Sequence, residues 1–141
     1  MCAFKINFLD HVAIRVSDME KSANWYQKVL GLKPYRFEAW GEFPVFLLSG
    51  KTGVALFPAN LNDAELDQLS KHIKLDHFAF NVDHSEFLKA QEHFNHLDIP
   101  FEFQDHTYFH SIYLRDPDEH QVELTALIVD ESEFYSQQCI N

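Results

Sequence analysis

The chain has 141 residues, 46% hydrophobic and 23% charged, which is enough for one domain with a real core and too apolar for a disordered chain. Lys and Arg number 11 against 22 Asp and Glu, a formal charge of −11, which argues against a nucleic-acid partner because phosphate binding needs clustered cations. No apolar run reaches the roughly 18 residues a membrane span requires, and residues 1–9 lack the order of a signal peptide, so the expected setting is the cytoplasm, with Cys2 and Cys139 read as free thiols and a terminal disulfide as the alternative.

The first element is a strand over Leu9-Asp10-His11-Val12-Ala13-Ile14. Ser17 then reads as a helix N-cap with Glu20 three residues on, the reciprocal capping arrangement. Met19, Ala23, Tyr26 and Leu30 form an apolar stripe at helical spacing, and Gly31 ends the helix. Extended segments follow at residues 34–39, 45–49 and 53–57. Residues 62–71 read as a short connecting helix. The opening hexapeptide then returns as Leu75-Asp76-His77-Phe78-Ala79-Phe80. Asp83 and Glu86 repeat the helix start, Phe87, Ala90, Phe94 and Leu97 repeat the stripe, and Pro100 follows its end. Strands are expected at 101–104, 111–115 and 121–127, with Val122-Glu123-Leu124 answering Val54-Ala55-Leu56. Residues 130–141 form a polar tail that is expected to fray.

An internal repeat of this kind governs the whole fold. It gives an α+β chain of two strand–helix–strand–strand–strand modules (βαβββ): module 1 over about 5–59, a connector over about 60–72, module 2 over about 73–129 and the tail, all within a single domain 1–141. A half-sheet cannot cover both of its faces alone, so the expected architecture pairs two curved sheets, with the helices outside and a cleft between them. Strand alternation sorts the side chains. Val12, Ile14 and Val16, with Phe78, Phe80, Val82, Val122, Leu124 and Ala126, should lie under the helices, which leaves His11, His77 and Glu123 facing the cleft. Two imidazoles and a carboxylate form a facial set of ligands with about three open positions, as in non-haem Fe(II) oxygenases. Mn, Zn, Co or Ni suits the same donors. The fourth corner falls on Ala55, which binds nothing, so the site is open and of catalytic type.

At these residues the chain resembles the vicinal oxygen chelate superfamily, which includes glyoxalase I, fosfomycin-resistance thiol transferases, extradiol dioxygenases and bleomycin-resistance binding proteins. The resemblance covers residues 6–128. Its carriers are the two Leu-Asp-His motifs, the helix Trp25-Tyr26-Gln27-Lys28-Val29-Leu30-Gly31-Leu32, and Arg115-Asp116-Pro117-Asp118-Glu119-His120-Gln121-Val122-Glu123-Leu124. It implies one divalent ion, a small-molecule substrate and a homodimer, with no nucleic-acid or membrane partner. The pattern around the last ligand is similar to that of extradiol enzymes: His106, Ile112-Tyr113, Asp116-Pro117 and Glu123 match it. Glu119 stands where the pattern has Gly or Pro, and Gln104 departs from it before His106. By this resemblance the leading activity is ring-cleaving dioxygenation of a small vicinal-diol aromatic with Fe(II). His106 and Tyr113 would be the catalytic donors to developing oxyanions. The alternatives are a glyoxalase-like lyase or fosfomycin-type thiol transferase, and a non-catalytic binder of an aromatic ligand. Residues 53–57 lack the acid–base histidine that extradiol enzymes usually add there, and Ala13 takes the place of a Thr found in the fosfomycin enzymes. Trp40, Phe43, Phe46, Phe57 and Phe101 are candidates either for an aromatic wall against a flat ring or for a Phe-rich core.

Overall fold

The computed structural model describes residues 3–137, so Cys2 and Cys139 lie outside the described residues. The chain divides into two compact units, Met1–Leu66 and Asp67–Asn141, and the break falls inside the connector. No helix among the described residues is long and apolar enough to cross a membrane.

In unit 1, β1 (His11–Val16) lies parallel to β4 (Thr52–Pro58), with β3 (Val45–Ser49) and β2 (Lys33–Tyr35) adding antiparallel, in the order β1-β4-β3-β2. A parallel pair needs a crossover, and helix α1 (Met19–Leu30) lies within it. The helix starts at Asp18, not Ser17: the Asp18 carboxylate accepts the Lys21 backbone N–H at 3.0 Å, and an ionised cap also suits the positive end of the helix. It stops where expected. Gly31 takes φ 67°, its N–H reaches Gln27 O at 3.0 Å, and the Leu32 N–H reaches Tyr26 O at 3.2 Å, a paired C-terminal cap that glycine adopts without steric cost. Ala23, Tyr26 and Val29 are buried with Ile14, Val16, Val45, Leu47, Val54 and Leu56 of the sheet. The strand expected over 34–39 is shorter, ending at Tyr35, and a 3-10 turn over Glu38–Trp40 follows.

Unit 2 repeats the plan. β5 (Phe78–Asn81) runs parallel to β8 (Gln121–Leu127), then come β7 (Phe109–Arg115) and β6 (Glu102–Asp105), in the order β5-β8-β7-β6. Helix α2 (His84–His96) buries Phe87 and Phe94, and Ile112, Leu114, Val122, Leu124 and Ala126 complete the core. Each fully buried aromatic ring contributes about 2–3 kcal/mol of transfer free energy. Phe101 packs against Phe94 with ring centroids 5.9 Å apart, so it joins the α2 side of this unit. The tail forms a further helix, α3 (Glu131–Gln137), because Phe134 anchors it on Phe109 and Tyr108, with centroids 4.8 and 5.6 Å away.

No helix forms over 62–71. Polar side chains here close local turns. Asn60 Oδ1 accepts Asn62 N–H at 3.2 Å, Asp67 Oδ1 accepts Leu69 N–H at 2.9 Å, and Ser70 Oγ accepts His72 N–H at 3.1 Å. Such contacts compete with the helical ladder. Leu61, Leu66, Leu69 and Ile73 all stay exposed, so no apolar face is buried to favour a helix this short.

The turn between β7 and β8 explains one departure in the family pattern. Buried Asp116 accepts the backbone N–H groups of Asp118 and His120, each at 2.9 Å, and Glu119 sits at φ 68°. That conformation favours glycine. Glu119→Gly is expected to raise unfolding free energy by up to about 1 kcal/mol, readable as a higher denaturant midpoint at unchanged slope. A lower midpoint would contradict the strain.

Candidate metal centre

Within each unit the alternation is as expected. In β1 the side chains of Ile14 and Val16 are buried on the α1 side, while His11, Ala13 and Arg15 are exposed on the other. In unit 2, Ala79 pairs with Glu123 and Glu123 with Tyr113. Since residues two apart share a face, His77, just before β5, lies on the same side as Glu123 of β8 and Tyr113 of β7.

These residues are tightly connected. His77 Nε2 lies 2.9 Å from Glu123 Oε2, and His77 Nδ1 lies 2.7 Å from Asp76 Oδ2. Glu123 is only 7% exposed, and a charge so placed needs partners. The His77 hydrogen bond holds the Asp76 carboxyl below the usual carboxylate range. Tyr113 meets His77 edge-on with centroids 5.7 Å apart, and its hydroxyl is hydrogen-bonded to His106 Nε2 at 2.9 Å. Burial first, then the charge and hydrogen bond of Glu123, push the Tyr113 phenol up. It therefore keeps its proton through the neutral range and acts as a donor. On the same face Ser111 and Thr125 hydroxyls pair at 3.1 Å.

His106 is presented by the β6–β7 hairpin. Its N–H donates to Phe109 O at 2.8 Å, and Thr107 takes φ 70° while the Tyr108 N–H closes on His106 O at 2.7 Å. A β-branched residue in that region is strained, so the tip that carries His106 is held by its contacts and not by local preference.

Unit 1 carries the same frame with less chemistry. His11 Nδ1 lies 2.7 Å from Asp10 Oδ1. Ala55, paired with Ala13, stands where Glu123 stands, and Phe46, paired with Ala55, stands where Tyr113 stands. His11 faces Phe46 at 5.0 Å between centroids, and the rings continue through Trp40 at 5.3 Å to Phe37 at 4.6 Å. Phe43 and Phe57 form a separate pair at 6.2 Å.

Two ligand atoms at right angles about an ion with bonds of roughly 2.1 Å stand about 3.0 Å apart. The 2.9 Å between His77 Nε2 and Glu123 Oε2 fits that spacing, and imidazole with carboxylate fits a divalent transition metal. Within either unit by itself the described residues assemble no group of three His, Cys, Asp or Glu donors. Unit 2 offers His77 and Glu123; His11, the third expected ligand, belongs to unit 1. Sequence reasoning gives Asp10 and Asp76 no role of their own, although both stand in the repeated Leu-Asp-His motif.

Two βαβββ units, each opening on an Asp-His pair and one adding a carboxylate and a phenol, define a protein of the vicinal oxygen chelate fold. The chain belongs to the glyoxalase/bleomycin resistance protein/dioxygenase superfamily, whose model matches residues 8–124. It is similar to the metallothiol transferase FosB of Staphylococcus saprophyticus, 28% identical over 137 residues, covering 94% of this chain and 86% of that protein. The fold is shared with a glyoxalase/dioxygenase from Nostoc punctiforme at a TM-score of 0.75 and 20% identity, covering 92% of this chain and 97% of the other. The fosfomycin resistance protein FosX from Listeria monocytogenes superposes at a TM-score of 0.64 and 19% identity, covering 86% and 94% of the respective chains.

Proposed function

We propose that this protein is a divalent-metal enzyme that binds adjacent oxygen atoms of a small substrate, with His11, His77 and Glu123 as the metal ligands. The observation that carries this reading is the His77–Glu123 pair, two donor atoms 2.9 Å apart on a sheet face whose neighbours are polar. An ion held there supplies Lewis acidity and open positions for substrate oxygens. The reading also includes a homodimer, supported by membership of a superfamily to which the sequence resemblance already attaches that assembly. The exposed Phe37, Trp40 and Phe43 in unit 1 support an association surface or a flat aromatic substrate.

Ring-cleaving dioxygenation with Fe(II) is the leading reaction. It is supported by the 2.9 Å contact between His106 and Tyr113, the two residues that match the extradiol pattern. In this role Tyr113 donates its phenolic proton to a substrate oxygen as charge builds there. His106 steadies the hydroxyl and exchanges protons with it. A second reading, transfer of a thiol to a substrate epoxide, is supported by the similarity to a metallothiol transferase. It would use Mn, Zn or another ion in the same ligands.

One set of assays separates them. Protein purified without chelators should contain about one divalent ion per site by elemental analysis. Anaerobic Fe(II) loading followed by air and a panel of catechols should give coloured ring-cleavage products. Oxygen-independent addition of a thiol to fosfomycin with Mn(II) would replace the first reaction by the second. A protein that retains no ion under any loading would sink both and leave a binding protein.

A further inference from the structure

The geometry points to Asp10 and Asp76 as positioning residues that decide which nitrogen of His11 and His77 carries the proton and which is left to bind. This rests on the reading of His11 and His77 as ligands. The contact is the same in both units: Asp10 Oδ1 to His11 Nδ1 and Asp76 Oδ2 to His77 Nδ1, each at 2.7 Å.

Neighbouring side chains in an extended strand point to opposite faces, so strand geometry by itself keeps an Asp away from the His that follows it. The pairs form because both Asp residues precede the regular strand: β1 begins at His11 and β5 at Phe78. The arrangement also survives in two units whose other equivalent positions have diverged, Ala55 against Glu123 and Phe46 against Tyr113.

An ionised carboxylate only accepts, so each pair calls for hydrogen on Nδ1 and, in a neutral ring, leaves the lone pair on Nε2. At His77 there is a direct competitor. Glu123 Oε2 lies 2.9 Å from Nε2 and favours hydrogen there, which would block the binding nitrogen. Asp76, 2.7 Å from Nδ1, opposes it. A carboxylate on the far nitrogen also raises ligand basicity and fixes ring orientation.

The test uses the full chain, metal-free and labelled with 15N-histidine, at a pH above the ordinary imidazole range. Long-range proton–nitrogen correlation spectra should place hydrogen on Nδ1 at His11 and His77. Asp76→Ala should move the His77 hydrogen to Nε2, and Asp10→Ala should release His11 from the Nδ1–H form. Asp76→Asn and Asp10→Asn, whose amide oxygen accepts the same bond, should restore Nδ1–H. Titration with Mn(II) and Zn(II) should show affinity lower by roughly 10–100-fold in each Ala variant and a smaller loss in the Asn variants. Ala variants with wild-type tautomers, or with wild-type metal affinity, would overturn the inference. If the wild-type protein takes up neither ion, the metal reading falls by itself. The tautomer spectra still decide whether the two aspartates govern the imidazoles.

Discussion

Glu123→Ala is expected to lower divalent-ion affinity by at least about 100-fold, more than the loss of an outer hydrogen-bonding partner costs, and to leave the fold intact. The two outcomes separate because Glu123 serves the fold poorly. Its side chain is 9% exposed, and its ion-pair partner, His77, has a side chain 33% exposed. Removing a charge from such a place relieves a desolvation cost, and water replaces it at His77. Calorimetric titration with Mn(II) or Zn(II) measures the first outcome, and thermal unfolding of the metal-free protein measures the second. Glu123→Gln keeps the volume and removes the charge, so it should also lose the ion. It gives an independent sign as well. The negative charge of Glu123 is one cause of the raised Tyr113 pKa, after burial. The Gln variant should therefore ionise Tyr113 at a lower pH than wild type, seen as phenolate absorbance in metal-free protein. Wild-type metal affinity in either variant would remove Glu123 from the ligand set.

Tyr113→Phe is expected to lower kcat by about 10²–10³-fold, the cost of deleting one donor aimed at developing negative charge. Metal content and thermal stability should stay near wild type. Unit 1 already contains this replacement, since Phe46 occupies the corresponding place against His11 with centroids 5.0 Å apart. The ring is thus compatible with the frame, and only the hydroxyl is tested. His106 is exposed, so water can replace its lost partner, and Glu123, which also loses a hydrogen bond, keeps His77 at 2.9 Å. Steady-state kinetics on whichever substrate the assays identify, with elemental analysis of the same sample, checks both halves. A Phe variant with full kcat would make Tyr113 a wall of the site.

The core elements were readable because they depend on local information. β3 and β8 fall on the expected residues 45–49 and 121–127, where alternation is strong and turns flank the strands. The buried face of β1 followed from Ile14 and Val16 with no knowledge of the partner strand. The departures have one kind of cause. Residues 62–71 carry helix-capping types, but Asn60, Asp67 and Ser70 bond their own near neighbours. Residues 130–137 look polar, but one ring, Phe134, finds Tyr108 and Phe109. In each case the decision lay in which competing partner was near.

The candidate site divides in the same way. The amino-acid sequence by itself determined the repeat, the two half-sheets and the side of each strand on which His11, His77 and Glu123 stand, because periodicity two and helix caps are short-range properties of the chain. Only the tertiary structure decided that Asp10 and Asp76 turn back onto Nδ1, that Glu123 closes to 2.9 Å from His77, and that the Thr107 turn brings His106 onto Tyr113. Those contacts join residues through rotamers, loop dihedrals and neighbouring strands, which are set by packing and leave no period in the sequence.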